Sequence, residues 1–211
     1  MKHLIFVFIL PLFLCKSNEY TSTNSEKEIE VHYAFKVHPR EKTERNDEVK
    51  KSIDEIVAQF KHLDFVLNCS KNKSTFELIE NLKLKDSFAY QAAAISISNN
   101  YRKYYSDNNL KLKGYRDGEG NNVVLEHGKP HWKITTESKM VNTYKCYKAT
   151  AIDSALNYKT KKYIIQNITA WFSPEIPYNF GPMGWDGLPG LVLEASKSEK
   201  NYFIAEKITF K

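Results

Sequence analysis

Residues 181–191 read GPMGWDGLPGL, and nowhere else in the chain does the composition constrain the backbone path so tightly. The stretch holds four glycines and two prolines and runs directly into Val192 and Leu193. Residues 188–191 suit a type II turn, because Pro189 presets the dihedral angle of the second position and Gly190 supplies the positive φ of the third. The composition predicts a specified loop that leads into a strand, and by itself it indicates no reaction.

Outward from this loop, apolar and polar residues alternate with the two-residue period of half-buried strands. The runs that follow this pattern are 28–38, 144–150, 162–172, 190–196 and 202–210. Turns rather than helices separate most of them, which favours antiparallel neighbours. Residues 65–67 and 76–79 bracket the turn-rich segment 70–73 and predict a hairpin.

One amphipathic helix is predicted from Asn46 to Lys61, because the apolar residues 49, 53, 56, 57 and 60 recur at helical spacing. Residues 89–98 are ambiguous, since their alanines favour a helix and the alternation of 95–98 favours a strand. Residues 101–105 are expected to form a strand and 114–122 a loop. The predicted fold is mainly β, a curved antiparallel sheet (sandwich or open barrel) with one packed amphipathic helix.

The N-terminus has the order of a secretory signal peptide. Lys2 and His3 precede an apolar run of twelve residues, 4–15, which is too short to span a bilayer comfortably. We expect a signal peptide over 1–17, a flexible leader over 18–27 and a single β-rich domain over 28–211. Cys15 raises the alternative of a lipid anchor, but residues 12–14 lack the small residue that such a site requires. Ordinary cleavage to a periplasmic or extracellular protein, with no transmembrane span in the mature chain, is therefore favoured.

Cys69 and Cys146 remain once the signal is removed. In an oxidising compartment they form either a disulfide or two unpaired, buried thiols, and their spacing matches no metal-binding pattern. The formal net charge of +6 is modest, and the lysines are spread along the chain. Because basic patches that bind nucleic acid are usually clustered, no nucleic-acid partner is expected.

Three blocks of the C-terminal half, taken in order, resemble the GLPGLI family of small exported proteins of Gram-negative bacteria. The blocks are residues 132–150 (with Trp132, Glu137, Lys139 and the run 144–150), 170–177 and 181–194. The family motif stands here as Gly187, Leu188, Pro189, Gly190 and Leu191, followed by Val192 in place of the motif's final isoleucine. The resemblance implies export and a β-rich fold. It implies no activity, because the family has no established biochemical function.

No catalytic residue is predicted. Ser173 and Cys146 are conceivable nucleophiles with His131 as base, but Ser173 stands before Pro174 outside any nucleophile-elbow pattern. Glu126, His127 and His131 form the one close group that resembles a metal site, yet a loop with two histidines is more often simply polar. We therefore expect neither a metal nor a cofactor.

Aromatic residues gather before and within the glycine-rich loop. Trp171, Phe180, Met183 and Trp185 would line a groove for an apolar small molecule or an envelope protein, or else they would plug the open end of the sheet. The leading hypothesis is an exported, non-enzymatic binding protein that uses these four residues. The alternatives are an extracytoplasmic hydrolase and a structural accessory of an outer-membrane assembly, recognised through a free edge of the last strand, 202–210.

Overall fold

The computed structural model describes residues 27–37, 46–125, 130–157, 162–198 and 201–211. The strands of these residues join one antiparallel sheet. They are β1 (Ile29–Val37), β2 (Asp64–Cys69), β3 (Lys73–Ile79), β4 (Lys103–Asp107), β5 (Leu112–Arg116), β6 (Asn122–Val124), β7 (Lys133–Val141), β8 (Tyr144–Asn157), β9 (Lys162–Ser173), β10 (Leu191–Ser198) and β11 (Asn201–Phe210). The predicted signal peptide, Cys15 and all but the last residue of the predicted leader lie outside the described residues.

The strand order is β6-β5-β4-β3-β2-β1-β11-β10-β9-β8-β7. Each strand pairs with the next one along the chain, except that β6 and β7 lie at opposite edges of the sheet. The first and last strands, β1 and β11, pair with each other at its centre. The mainly β, antiparallel fold is thereby confirmed, in the form of a single sheet that does not close. The expectation that the last strand offers a free edge is wrong, because β1 and β10 pair with both of its sides.

The two edges of the sheet are β6 and β7. The first is three residues long. The second contains a register shift between Ile134 and Ser138 and carries Lys133, Glu137 and Lys139. Short edge strands, bulges and charged side chains all discourage the addition of another strand.

The described residues form two α-helices where the sequence predicted one, and the expected one, which has no fully buried residue, packs on the other. The expected helix, α1, spans Asp47–Gln59 and begins at Asn46, whose side chain accepts a hydrogen bond from the Glu48 N–H. The ambiguous segment forms α2 (Phe88–Ser98), capped by the Ser87 side chain at its start and by left-handed Asn99 at its end. These caps and the run of alanines decide for a helix over a strand.

The predicted loop over 114–122 is shorter than expected, because Gly114 belongs to β5. A Cβ atom built on Gly114 would lie 2.3 Å from the Val123 carbonyl oxygen and 2.5 Å from the Tyr105 hydroxyl. This glycine permits a close approach between strands and is not a turn residue.

The core lies on the inner face of the sheet, and the Phe203 ring on β11 is its centre. Its centroid is 5.1 Å from the rings of both Phe35 and Phe65 and 5.7 Å from that of Phe76. It is also 6.3 Å from the Trp185 ring of the glycine-rich loop. Because β11 is central, one side chain connects strands from both halves of the chain.

Gly190 stands where the loop returns to the sheet, just before Leu191 pairs with Ser173. Its φ is +152°, and a Cβ atom there would lie 2.2 Å from the Ser173 carbonyl oxygen. The motif glycine is therefore required both by its backbone conformation and by this contact.

We predict that Gly190→Ala lowers the free energy of unfolding by at least ~2 kcal/mol more than Gly120→Ala does. Gly120 also has a positive φ of +91°, but nothing lies within 4 Å of its Cβ position. The difference between the two variants, measured by urea denaturation, thus isolates the clash. Equal losses would show that the approach of Gly190 to Ser173 carries no constraint.

Candidate functional site

The loop between β9 and β10, residues 174–190, is called the motif loop here. It is held to itself and to the start of β10 by backbone hydrogen bonds. The Leu191 N–H donates to the Ile176 carbonyl at 3.0 Å, and the Val192 N–H donates to the Phe180 carbonyl at 3.1 Å. The Gly187 N–H donates to the Asn179 carbonyl at 2.9 Å. These bonds fold the loop back over the strand that follows it.

The motif loop fills the inner face of the sheet. Phe180 is 0% exposed, Leu188 1% and Trp185 4%. Alanines at 149, 170, 195 and 205, on four adjacent strands, are also buried in the same core. Small side chains on β8–β11 leave space above the sheet, and the large side chains of the loop occupy it.

Asp186 connects the motif loop to both ends of the sheet. Its carboxylate is 1% exposed, accepts a hydrogen bond from the Gly181 N–H at 3.3 Å and accepts another from the Ser106 hydroxyl on β4. Its backbone carbonyl accepts a hydrogen bond from the Trp132 indole, just before β7, at 2.9 Å. The sheet therefore curves around the loop, and Asp186 is hydrogen-bonded to both arms of the sheet, at β4 on one side and just before β7 on the other.

The structure does not bring the four predicted ligand-binding residues together. Phe180 and Trp185 are buried in the core, and Met183 is half-buried in the loop. Trp171 lies on the opposite, outer face of the sheet, because its β9 neighbours Ala170 and Phe172 point into the core. Of the two interpretations offered by the aromatic cluster, the loop has the geometry of the plug.

A double-mutant cycle on Asp186 and Ser106 tests whether the plug holds the sheet curved. We expect Asp186→Ala and Ser106→Ala to show a coupling free energy of about 1–3 kcal/mol in urea denaturation, because a buried charged hydrogen bond is lost in each. Ser173→Ala is the matched control, since the buried Ser173 hydroxyl has no hydrogen-bond partner. A loss at Ser173 equal to that at Ser106 would contradict this assignment.

An open groove of about 970 Å³ lies on the outer face of strands β7–β11 and is called the outer groove here. Register places Lys148, Trp171 and Glu194 side by side on β8, β9 and β10. The next outward row holds Thr150, Thr169, Ser196 and Tyr202. The remaining lining residues are His131, Lys133, Lys139, Ala151, Ile152, Asn167, Ile168 and Lys197.

Ion pairs and a cation–π contact organise the groove around Trp171. The Lys139 ammonium lies 4.4 Å from the Trp171 ring centroid and 2.6 and 2.7 Å from the two Glu194 carboxylate oxygens. The Lys148 ammonium lies 6.0 Å from the same centroid and 3.0 Å from the Glu137 carboxylate. Since Lys139 on β7 reaches Glu194 on β10, the outer face is cupped across these strands.

Lys133, Lys139 and Lys148 line the outer groove beside the carboxylates of Glu194 and Glu137, whereas the Lys197 ammonium lies 5.5 Å from the Trp185 ring centroid. The sequence showed its lysines scattered along the chain, and the sheet brings these three together from β7 and β8. Alternation did indicate that Lys148 and Thr150 share a face. It gave no information on cross-strand register, which is what places Lys139 and Glu194 on the same aromatic ring.

The candidate nucleophiles do not form a catalytic pair. Ser173 is 0% exposed and its hydroxyl contacts no base. Cys69 and Cys146 are free, buried thiols on β2 and β8, which four strands separate, so the structure has the second of the two alternatives for the cysteines. Burial raises the pKa of Cys69 to about 12 and that of Cys146 to about 11. A thiol of this kind is a poor nucleophile at neutral pH.

Thiol labelling tests this placement. A chain that begins at Asn18 lacks Cys15 and contains only Cys69 and Cys146. In this chain we expect Ellman's reagent at pH 8 to react at least about a hundredfold more slowly with the folded protein than with the protein unfolded in 6 M guanidinium. Both folded pKa values exceed the ordinary 9.0. Their contribution to stability is therefore present below pH 9 and is lost as the pH rises towards 11–12. Rapid labelling of the native chain, or no reaction even when unfolded, would contradict the free, buried thiols.

The described residues contain no group of three side chains suited to a metal ion. Glu126 and His127 lie outside them, and His131 is exposed at the outer groove. On the outer face of β1, His32 lies between two carboxylates. Its Nδ1 is 3.0 Å from Asp64 and its Nε2 is 3.3 Å from Glu30. Both ring nitrogens are thus engaged by acids.

Comparisons with known proteins add a family match and a fold match. Residues 155–194, which contain β9 and the motif loop, match a family described as a protein of unknown function (Porph_ging). No curated protein matches the chain. Two solved structures of PNGF-II, in the C2 and P21 space groups, resemble the fold with TM-scores of 0.52 and 0.54. Sequence identity is 11% and 12%, so the likeness concerns the fold alone.

In both comparisons 88% of this chain aligns with 28% of the PNGF-II chain, so the present chain spans well under a third of that protein. Within the described residues, neither helix is long and apolar enough to cross a membrane.

Proposed function

We propose that the protein is an exported, non-enzymatic binding protein and that a polypeptide of the cell envelope binds in its outer groove. The observation that carries the proposal is the groove itself, an open surface with an aromatic floor at Trp171, two ammonium groups within 6.0 Å of the ring centroid and a row of hydroxyl side chains. Aromatic and hydrogen-bonding side chains on a rigid sheet are suited to an extended partner.

The packing of the motif loop favours a polypeptide over an apolar small molecule as the ligand. The apolar side chains of Phe180 and Trp185 are buried in the core and are therefore not available to line an apolar pocket. A hydrolase is less well supported, because Ser173 and Cys146 are inaccessible. The protected edges β6 and β7 give little support to recognition through strand addition.

Export and domain organisation belong to the same proposal. The charged and apolar order of residues 1–17 supports a cleaved signal peptide, and the three sequence blocks support a GLPGLI-type protein. The family match over 155–194 contains the motif residues 187–191. We take 28–211 as one domain, because β1 and β11 pair at the centre of a single sheet.

Selection from a phage-displayed library of random twelve-residue peptides tests the function. The wild-type chain is expected to enrich peptides that lose binding when Thr169→Trp fills the middle of the groove. Thr75→Trp is the matched control, because Thr75 is a half-buried threonine on β3, five strands from Thr169 in the sheet. Its variant should bind the selected peptides as the wild type does.

Two results would overturn the proposed function. One is the absence of enrichment over the bare support. The other is equal binding of the selected peptides by the wild-type and Thr169→Trp chains, which would place the binding surface elsewhere. Both variants are to be checked first by circular dichroism and thermal unfolding, so that a folding defect is not read as a loss of binding.

A further inference from the structure

We infer that the outer groove recognises an acidic segment of its partner, whose carboxylates replace that of Glu137 on the Lys148 ammonium group and bind Lys133. The inference rests on the proposed polypeptide-binding function and goes further, because it names the chemistry that is recognised.

The outer groove carries more ammonium groups than carboxylates. Lys133, Lys139 and Lys148 line it, against the carboxylate of Glu194 and that of Glu137 beside Lys148. Lys133 is exposed and has no carboxylate partner among the described residues. A surface with this excess of ammonium groups attracts a partner of opposite charge and disfavours a basic one.

The groove already binds carboxylates, and they belong to the protein itself. Both oxygens of Glu194 are within 2.7 Å of the Lys139 ammonium, and both oxygens of Glu137 are 3.0 Å from that of Lys148. The side chains of Lys148 and Glu137 are 27% and 58% exposed, so water reaches this pair. The two glutamates show the geometry in which a partner's carboxylates would be received.

The Lys148–Glu137 pair is weak enough to exchange. Solvent-accessible ion pairs contribute about 0–1 kcal/mol, and an exposed cation–π contact about 0.5–1 kcal/mol. The departure of Glu137, which is 58% exposed, therefore costs the fold little, and an incoming carboxylate restores the lost interaction. Net affinity then depends on Lys133, which has no carboxylate partner among the described residues, and on contacts with Trp171 and the hydroxyl row.

Two ammonium groups lie close to one aromatic ring. Those of Lys139 and Lys148 lie 4.4 and 6.0 Å from the Trp171 ring centroid, so a bound carboxylate and an apolar part of the same partner would meet here. Among the described residues that line the groove there is no arginine, the residue best suited to bidentate phosphate binding, which favours carboxylate over phosphate polymers.

Fluorescence anisotropy with a labelled twelve-residue peptide of alternating threonine and glutamate tests the inference. At 20 mM salt we expect at least about tenfold tighter binding than for the peptide with glutamine in place of glutamate. Lys148→Gln should weaken binding about threefold to tenfold, whereas Glu137→Gln should strengthen it about threefold because an internal competitor is removed.

Lys103→Gln is the matched control. Lys103 on β4 pairs with Glu77 at 2.6 Å, carries the same charge and lies outside the outer groove. Its variant should bind the glutamate peptide as the wild type does. Equal weakening by Lys103→Gln and Lys148→Gln would overturn the inference, because binding would then follow net charge alone.

Three further results would overturn it: no preference for the glutamate peptide, weakened binding in Glu137→Gln, or tighter binding of polygalacturonate or single-stranded DNA than of the peptide. The outcome is separable from that of the proposed function. If phage selection yields groove-dependent peptides without acidic residues, the polypeptide-binding function stands and the acidic specificity fails.

Discussion

The buried carboxylate of Asp186 is the interaction on which the arrangement of this protein depends. It lies on the inner face of the sheet and accepts hydrogen bonds from the Gly181 N–H and the Ser106 hydroxyl. The backbone carbonyl of Asp186 accepts a hydrogen bond from the Trp132 indole N–H. A buried charge without such partners would be very unfavourable, so the carboxylate, the loop that carries it and both arms of the sheet must take their positions together. The curvature of the sheet and the path of the motif loop are therefore one structural feature.

This arrangement also determines which surface is left for binding. Because the loop occupies the inner face with Phe180, Trp185 and Leu188, that face has become core. The outer face of β7–β11 keeps Trp171 and its lysines accessible to solvent. The composition of the motif loop suggested a binding element. In the structure the loop mainly supports the sheet whose other side carries the outer groove.

Local patterns predicted much of the fold. The alternation of Ile29, Val31, Tyr33 and Phe35 on β1 and the turn between β2 and β3 needed no long-range information. Residues 89–98 were ambiguous because alanine and alternating isoleucine favour different structures, and the caps at Ser87 and Asn99 decided the outcome. Gly114 was misread as a turn residue because the close approach of Val123 and Tyr105 cannot be read from neighbouring residues.

Short-range chemistry in the chain was sufficient for the strands, for α1 and for the positive φ of Gly190, since each depends on residues a few positions apart. The predicted type II turn at 188–191 is wrong, because φ of Gly190 is +152° and the Leu191 N–H donates to the distant Ile176 carbonyl. Local sequence patterns did not predict the outer groove. Lys139, Lys148, Trp171 and Glu194 belong to four strands, and the register of those strands places them together. Which aromatic residues are core and which are surface was likewise decided in the folded sheet, because Asp186 draws the motif loop to the inner face and leaves Trp171 on the outer one.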